Sequence, residues 1–155
     1  MTEMIGVSDD GQQALDLTNR SLYKTWVFHT IRFGDLDTLG HVNNAVYSTF
    51  LEAGRTAVLR PIFEEYGDHS LDVVLARITI DYRRELTYPG SVEIGTVIKR
   101  IGNRSVVFAN GIFKDGTDCC AATAEAHLVF FDLATRKSRL PPPAVRSSLE
   151  EFLLV

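Results

Sequence analysis

Cysteine, signal-peptide features and long apolar runs are all scarce in this chain. Its 155 residues contain two cysteines, Cys119 and Cys120, which are adjacent. Adjacent cysteines within an apolar stretch fit neither a disulfide framework nor the spaced ligands of a metal site, so we expect a reducing compartment and no metal. The N-terminus lacks a basic start followed by an apolar run, and no stretch of ~18 apolar residues occurs. We therefore expect a cytoplasmic protein without membrane insertion.

An excess of positive charge is also lacking. The chain carries 16 Lys and Arg against 20 Asp and Glu, a formal net charge of −4. This balance disfavours nucleic acid as a partner, because a phosphate backbone is bound by a clustered basic surface. The sequence also contains no Gly-rich phosphate loop, HExxH, GxSxG or CxxC motif. Nucleotide hydrolysis, zinc chemistry and serine-nucleophile hydrolysis therefore have no support from motifs.

The composition that is present fits one folded domain. Hydrophobic residues make up 45% and charged residues 23% of the chain, which is ordinary for a globular domain of this length. Residues 1–21 are polar and have no clear period, so we expect an N-terminal tail there. The prolines at 141–143 stop the last strand. The predicted division is thus a tail over 1–21, a domain over 22–140 and a C-terminal tail over 141–155, whose last residues could dock as a short helix.

Hydrophobic periodicity predicts one strand, one long helix and then four strands. Residues 24–33 alternate as in a strand, and residues 34–41 contain two glycines and two aspartates, which favour a turn. Residues 45–66 are apolar or small at most positions, which indicates a central helix, capped by Asn43 or Asn44 and ended by Gly67. The later strands are expected at 73–82, 92–101, 105–113 and 119–133. In the first of these, one face should be buried, and it consists of Val74, Ala76, Ile78, Ile80 and Tyr82.

Short connections between these four strands require an antiparallel sheet, since parallel strands need long crossovers. We therefore predict the α+β class, with a five-stranded antiparallel sheet wrapped around one long helix. The free sheet edges would still need cover, and pairing of two subunits would supply part of it. The bulky residues Trp26, Phe50, Phe63, Phe108 and Phe130 could belong to an ordinary core or line an acyl tunnel.

Candidate chemistry concentrates in the turn before the helix. Asp37 is a carboxylate among glycines, His41 follows four residues later, and the helix begins near Asn44 with unpaired N–H groups and the positive end of its dipole. Such a helix end can bind a phosphate or hold a carbonyl oxygen on which charge develops. Taken singly, Asp37 could equally stabilise the turn, His41 could pack or cap, and Asn44 could serve only as a cap.

The residues around this turn resemble a known signature. Residues 32–47, RFGDLDTLGHVNNAVY, followed by FLEAGR at 50–55, are similar to the 4-hydroxybenzoyl-CoA thioesterase family of hot-dog proteins. The resemblance continues through YRR at 82–84, PG at 89–90 and IGNRS at 101–105, and so covers roughly residues 22–135. It implies the hot-dog fold, hydrolysis of acyl-CoA to a free acid and CoA, and active sites at a dimer interface. From the open sheet edges we predict a homodimer or a dimer of dimers.

The resemblance also implies roles for individual residues. The family's catalytic aspartate falls on Asp37, which acts as nucleophile or general base, and the N–H that polarises the thioester carbonyl falls near Asn44. His41 stands where some members have an apolar residue, which suggests a supporting role. Glu52 is a weaker catalytic candidate, because a different thioesterase family uses a glutamate from this helix; otherwise Glu52 would pair with Arg55.

For the CoA phosphates, the resemblance points to the hairpin around residues 102–103. The candidates there are Arg104 and Ser105, and then Arg100 and Lys99; without a ligand the hairpin would simply be solvated. No cofactor is expected beyond the coenzyme A that forms part of the substrate.

Two other functions remain open at this point. Hot-dog hydratases and dehydratases share the fold, but their aspartate and histidine are separated by four residues, usually with a proline between them. Asp37 and His41 have three residues between them and no proline. The other alternative is a non-catalytic module that binds acyl-CoA or acyl carrier protein. The sequence leaves the acyl group and its carrier undecided.

Overall fold

The computed structural model describes residues 14–155, and its elements follow the predicted order. They are β1 (Thr25–Ile31), α1 (Asn44–Tyr66), β2 (Leu71–Tyr82), β3 (Gly90–Ile101), β4 (Ser105–Lys114), β5 (Cys120–Asp132), β6 (Lys137–Ser138) and α2 (Pro143–Glu150). The sheet is antiparallel in the order β1-β3-β4-β5-β2, with the two-residue β6 on β5. The predicted α+β architecture is confirmed. No helix in the described part of the chain is long and apolar enough to cross a membrane.

The core forms where α1 lies across the sheet. Phe50 and Leu51 of α1 pack in a cluster with residues of β3, β4 and β5, and Val58 and Ile62 pack in a second cluster with Phe108 and Phe130. Burial of these side chains supplies the main stabilisation of the helix, since removing apolar surface from water is worth about 25 cal/mol per Å². Phe50, Phe108 and Phe130 are therefore core residues.

The helix approaches the sheet most closely at Gly54. A Cβ atom at this position would lie 2.7 Å from Thr96 Oγ1 and 2.8 Å from Ile94 Cγ2. Thr96 Oγ1 also accepts a hydrogen bond from buried Asn110 Nδ2 at 2.8 Å. Glycine is thus needed here for close packing.

The prediction for the inner face of β2 is wrong in its first half. A β-bulge between Leu75 and Arg77 shifts the pairing with β5, so the residues before it change faces. Val73 packs against the second core cluster, whereas Val74 is 42% exposed. Ile78 and Ile80, after the bulge, pack inward as predicted. Ala76 and Tyr82, which were expected on the same face, are exposed. The bulge arises from the pairing with β5, and the alternation of apolar and polar residues within β2 does not predict that pairing.

Both ends of the described chain lie against the sheet. The ring of Tyr23 covers Gly95 and Gly111, where a Cβ atom would lie within 2.8 Å of it at either site. Arg20 pairs with Glu93 at 2.9 Å and stacks on Trp26. The predicted tail over 1–21 falls largely outside the described residues.

At the other end, the last residues pair with β3. Ile98 N donates to Phe152 O and Ile98 O accepts from Leu154 N, at 2.8 and 2.7 Å, and Arg146 of α2 donates to Gly102 O at 2.7 Å. The C-terminal residues thus cover the edge of β3 beyond β1. The proposed domain limits at residues 21 and 140 stay a prediction.

Candidate active site

The loop between β1 and α1 is built on Asp35. This buried carboxylate accepts from Arg32 N at 2.7 Å and from Arg32 Nη2 at 2.9 Å, while Asp35 O accepts from Asn43 N at 2.8 Å. Burial alone would raise the pKa of Asp35, but the hydrogen bonds from Arg32 outweigh it and hold that pKa below its ordinary value. Asp35 therefore fixes the loop and has no free face for chemistry.

Asp37 has a different environment, with one oxygen bound and one free. Its Oδ1 accepts from Leu39 N at 2.8 Å and from His41 N at 3.2 Å. Its backbone pairs with that of His41, with Asp37 N 2.8 Å from His41 O. Gly40 adopts φ +81°, a conformation that glycine allows at little cost. The loop bonds thus orient the partly exposed carboxylate while leaving Oδ2 for water or a ligand.

Asn43, the residue immediately before α1, lies on the same short ladder as Asp37. Leu36 pairs with Val42, and Asn43 N reaches Asp35 O, so the two loop segments run antiparallel. Asp37 lies opposite His41. His41 precedes Asn43 by two positions, and two residues of extended chain span about 7 Å. The structure therefore brings Asp37 and the beginning of α1 into one compact region.

Asn43, rather than Asn44, is the N-cap of α1. Its Oδ1 accepts from Ala45 N at 3.0 Å, and its carbonyl accepts from Val46 N at 2.9 Å. Neither cap bond uses the N–H of Asn44, the first helical residue. That N–H lies at the positive end of the helix dipole, where a partly negative oxygen is stabilised.

His41 points toward the segment after β2. Its Nε2 lies 3.1 Å from Glu85 Oε2, and its backbone pairs with Thr87. Val42 N donates to Leu86 O at 2.8 Å in the same contact. His41 thus adjoins Asp37 through the backbone, while its ring contacts Glu85.

Two tyrosines at the helix start were not identified from the sequence. Tyr82, the last residue of β2, donates from its hydroxyl to Asn44 O at 3.1 Å. Its ring stands edge-on to that of Tyr47, with 5.0 Å between the centroids. Burial raises the pKa of Tyr47. The YRR segment of the resemblance was the available signal, but it did not indicate that Tyr82 reaches the helix.

Glu52 lies farther along α1, eight residues beyond Asn44 or about 12 Å at the helical rise. It borders an open depression of about 560 Å³ that His29 and Arg60 also line. The expected pair with Arg55 is not formed within residues 14–155. Arg55 is 4% exposed, its Nη1 has no acceptor in the described chain, and burial lowers its pKa.

The basic hairpin lies far from Asp37 within one chain. His41 pairs with Thr87, just before β3 begins at Gly90, whereas the hairpin follows Ile101 at the other end of β3. That strand spans about 36 Å at the usual rise. Lys99 pairs with Glu125, Arg104 Nη1 donates to Ser138 O at 3.0 Å, Arg100 is exposed and Ser105 is partly buried. One chain does not bring these residues to the loop.

The chain is similar to known proteins over most of its length. A family model described as the thioesterase-like superfamily matches residues 31–149. The chain is 28% identical to the long-chain acyl-CoA thioesterase FadM of Escherichia coli over 125 residues, 79% of this chain and 95% of that protein. Among solved structures, the PA5185 protein of Pseudomonas aeruginosa gives a TM-score of 0.76 at 25% identity, covering 87% of this chain and 95% of that one. YbaW of Escherichia coli gives 0.74 at 27%, covering 83% and 98%.

Proposed function

The chain belongs to the thioesterase-like superfamily, with the hot-dog fold predicted from its sequence, and from this membership we propose that it hydrolyses acyl-CoA to a free acid and CoA. The structural observation that supports the proposal is that Asp37 and Asn43, the residue immediately before α1, lie on one short ladder. The similarity to FadM supports acyl-CoA as the substrate class.

In the proposed reaction, the thioester carbonyl accepts a hydrogen bond from the helix start near Asn44. Asp37 then acts through Oδ2. As nucleophile, it attacks the carbonyl carbon, the C–S bond breaks, CoA leaves as a thiolate that takes up a proton, and water hydrolyses the resulting anhydride. As general base, it removes a proton from the water that attacks the same carbon, and the C–S bond then breaks as the CoA sulfur takes up a proton. Either route yields one carboxylic acid and one thiol.

The helix start contributes by stabilising the oxygen on which negative charge develops. A single oriented donor of this kind is worth on the order of 10² to 10³ in rate. The N–H of Asn44 is suited to this role because the Asn43 cap leaves it unused. We propose that His41, held beside Glu85, positions substrate or water. Glu52 is the alternative catalytic carboxylate if Asp37 does not carry that role.

The nucleotide end of CoA requires a different surface. We propose that Arg104 and Ser105, with Arg100 and Lys99, contact its phosphates. The span of β3 implies that the hairpin serving one loop belongs to another subunit. No cofactor enters the proposed reaction apart from the coenzyme A moiety of the substrate.

A homodimer, or a dimer of dimers, is part of the same proposal. β2 is the last strand of the sheet, and its outer edge has no strand partner within residues 14–155. Leu75 is 48% exposed beside this edge. Unpaired strand edges with apolar side chains are covered in native proteins, and a second copy would provide that cover.

We also propose a cytoplasmic location, since Cys119 and Cys120 are free thiols.

The test is release of free thiol from a panel of acyl-CoAs by wild type and Asp37→Asn. The amide retains an oxygen that can accept the bonds from Leu39 and His41, so the loop should survive. Loss of a positioned base or nucleophile lowers turnover by roughly 10² to 10⁴. Asp118→Asn, on an exposed turn, is the matched control and should leave turnover unchanged. Acyl-CoA binding without turnover that depends on Asp37 would instead indicate a binding module.

A further inference from the structure

Tyr82 connects the sheet to the first residue of α1. Its hydroxyl donates to Asn44 O at 3.1 Å, and its ring rests edge-on against Tyr47 at an interplanar angle of 82°. Tyr82 is 49% exposed. The contact therefore lies at the surface of the loop and helix start, where a ligand can reach both.

The other end of this connection is held rigidly. Tyr82 pairs with buried Ala122 of β5, and both Arg83 N and Arg84 N donate to Ala121 O, at 2.8 and 3.1 Å. Arg83 Nε also donates to Thr123 Oγ1 at 3.3 Å. The sheet thus fixes the backbone of Tyr82. Through its hydroxyl, the side chain of Tyr82 restrains the carbonyl of Asn44 relative to the sheet.

The peptide group that carries the Asn44 N–H has one direct restraint, because its carbonyl oxygen, Asn43 O, accepts from Val46 N at 2.9 Å. Helix ends fray nevertheless, so a further restraint on the neighbouring peptide groups narrows the direction of this N–H. On one side, the backbone N–H of Asn43 donates to Asp35 O in the loop. On the other side, the hydroxyl of Tyr82 donates to the carbonyl oxygen of Asn44. With both neighbouring peptide groups held, the N–H of Asn44 keeps one direction. A donor that stabilises developing charge works only when its direction is fixed beforehand.

We propose that Tyr82 is a positioning residue for thioester hydrolysis, which fixes the direction of the Asn44 N–H through its hydrogen bond to Asn44 O. This role rests on the proposed function. Tyr82 does not touch the reacting atoms; it acts through the backbone of Asn44.

The experiment compares Tyr82→Phe with wild type. The phenylalanine keeps the ring contact with Tyr47 and removes only the hydroxyl. A hydrogen bond has a net worth of about 0.5–1.5 kcal/mol, so kcat should fall about 2- to 13-fold if that restraint acts on the transition state. KM should stay within about twofold, since the carbonyl is bound more weakly in the ground state. Tyr66→Phe, at the opposite end of α1, is the control and should keep the wild-type kcat.

Two further readouts separate this role from a structural one. Amide hydrogen exchange at Ala45, whose N–H is bound to Asn43 Oδ1, should become faster in Tyr82→Phe, while the thermal midpoint stays that of wild type. An unchanged kcat, or a loss of activity that only follows a lower thermal midpoint, would overturn the role of Tyr82. The proposed function fails separately, if wild type releases no thiol or if Asp37→Asn remains fully active.

Discussion

Asp35 and Asp37, two residues apart in the same loop, have different roles. Asp35 is buried and bound to Arg32, whereas Asp37 is partly exposed and keeps one oxygen free. The difference follows from the 3₁₀ turn over Phe33–Asp35, in which the Asp35 carboxylate turns back onto the backbone N–H of Arg32. Asp35 thus stabilises the loop, and Asp37 is available for chemistry.

The lowered pKa of Asp35 predicts an acid-dependent stability. A carboxyl whose pKa is lower in the folded state binds protons more readily when unfolded, so its contribution is complete above the unfolded pKa of about 3.9 and is lost as the pH falls through the folded value. Asp35→Asn should therefore unfold more easily than wild type at pH 7. The difference should shrink as the pH drops below about 4 in urea titrations. A difference that grows on acidification would contradict this account of the loop.

His41 should matter less than Asp37. Its ring contacts Glu85 instead of the proposed reacting atoms, so His41→Ala should lower kcat by a smaller factor than Asp37→Asn does. The two variants can be compared by steady-state thiol release at saturating substrate. A larger loss for His41→Ala would move the proton-transfer role to the histidine.

At the scale of elements, α1 is defined by its two ends and by its approach to the sheet. The predicted helix over 45–66 agrees with the observed Asn44–Tyr66, because the Asn43 cap and the apolar positions are local properties of the sequence. The bulge in β2 and the contact from Tyr82 to Asn44 were missed, since both depend on pairing between segments far apart in the chain. The alternation of β2 by itself predicted the wrong face for Val74.

The close approach at Gly54 predicts a large effect from one methyl group. Gly54→Ala would place Cβ against Thr96 Oγ1 and Ile94, and overpacking of this kind costs about 1–3 kcal/mol. Urea unfolding should show that loss of stability. Gly34→Ala is the control, because a methyl group there would have no neighbouring atom within 4 Å among the described residues. Equal stability of the two variants would show that the helix can move away from the sheet.

At the scale of the whole molecule, the open edge of β2 and the distant basic hairpin both require another subunit in the proposed enzyme. The element order of the fold could be predicted from the sequence, because each element has its own local pattern. The large distance between Arg104 and Asp37 within one chain could not be predicted from the sequence, because a resemblance to a family assigns roles to residues without giving distances between them.

Assembly should therefore be sensitive to the edge strand. Wild type should sediment as a dimer or larger at micromolar concentration. Leu75→Glu places a charge on the exposed edge and should shift the population toward monomer. Leu140→Glu, an exposed apolar position between β6 and α2, is the control for a general charge effect. A monomeric wild type would contradict the proposed assembly.

The central claim is that Asp37 and the start of α1 converge on one thioester carbonyl. A crystal structure with a non-hydrolysable acyl-CoA analogue that retains the carbonyl tests it most directly. The account predicts the carbonyl oxygen about 3 Å from the backbone N of Asn44, with Asp37 Oδ2 facing the carbonyl carbon. A carbonyl bound instead beside Glu52, two turns along the helix and away from Asp37, would contradict it.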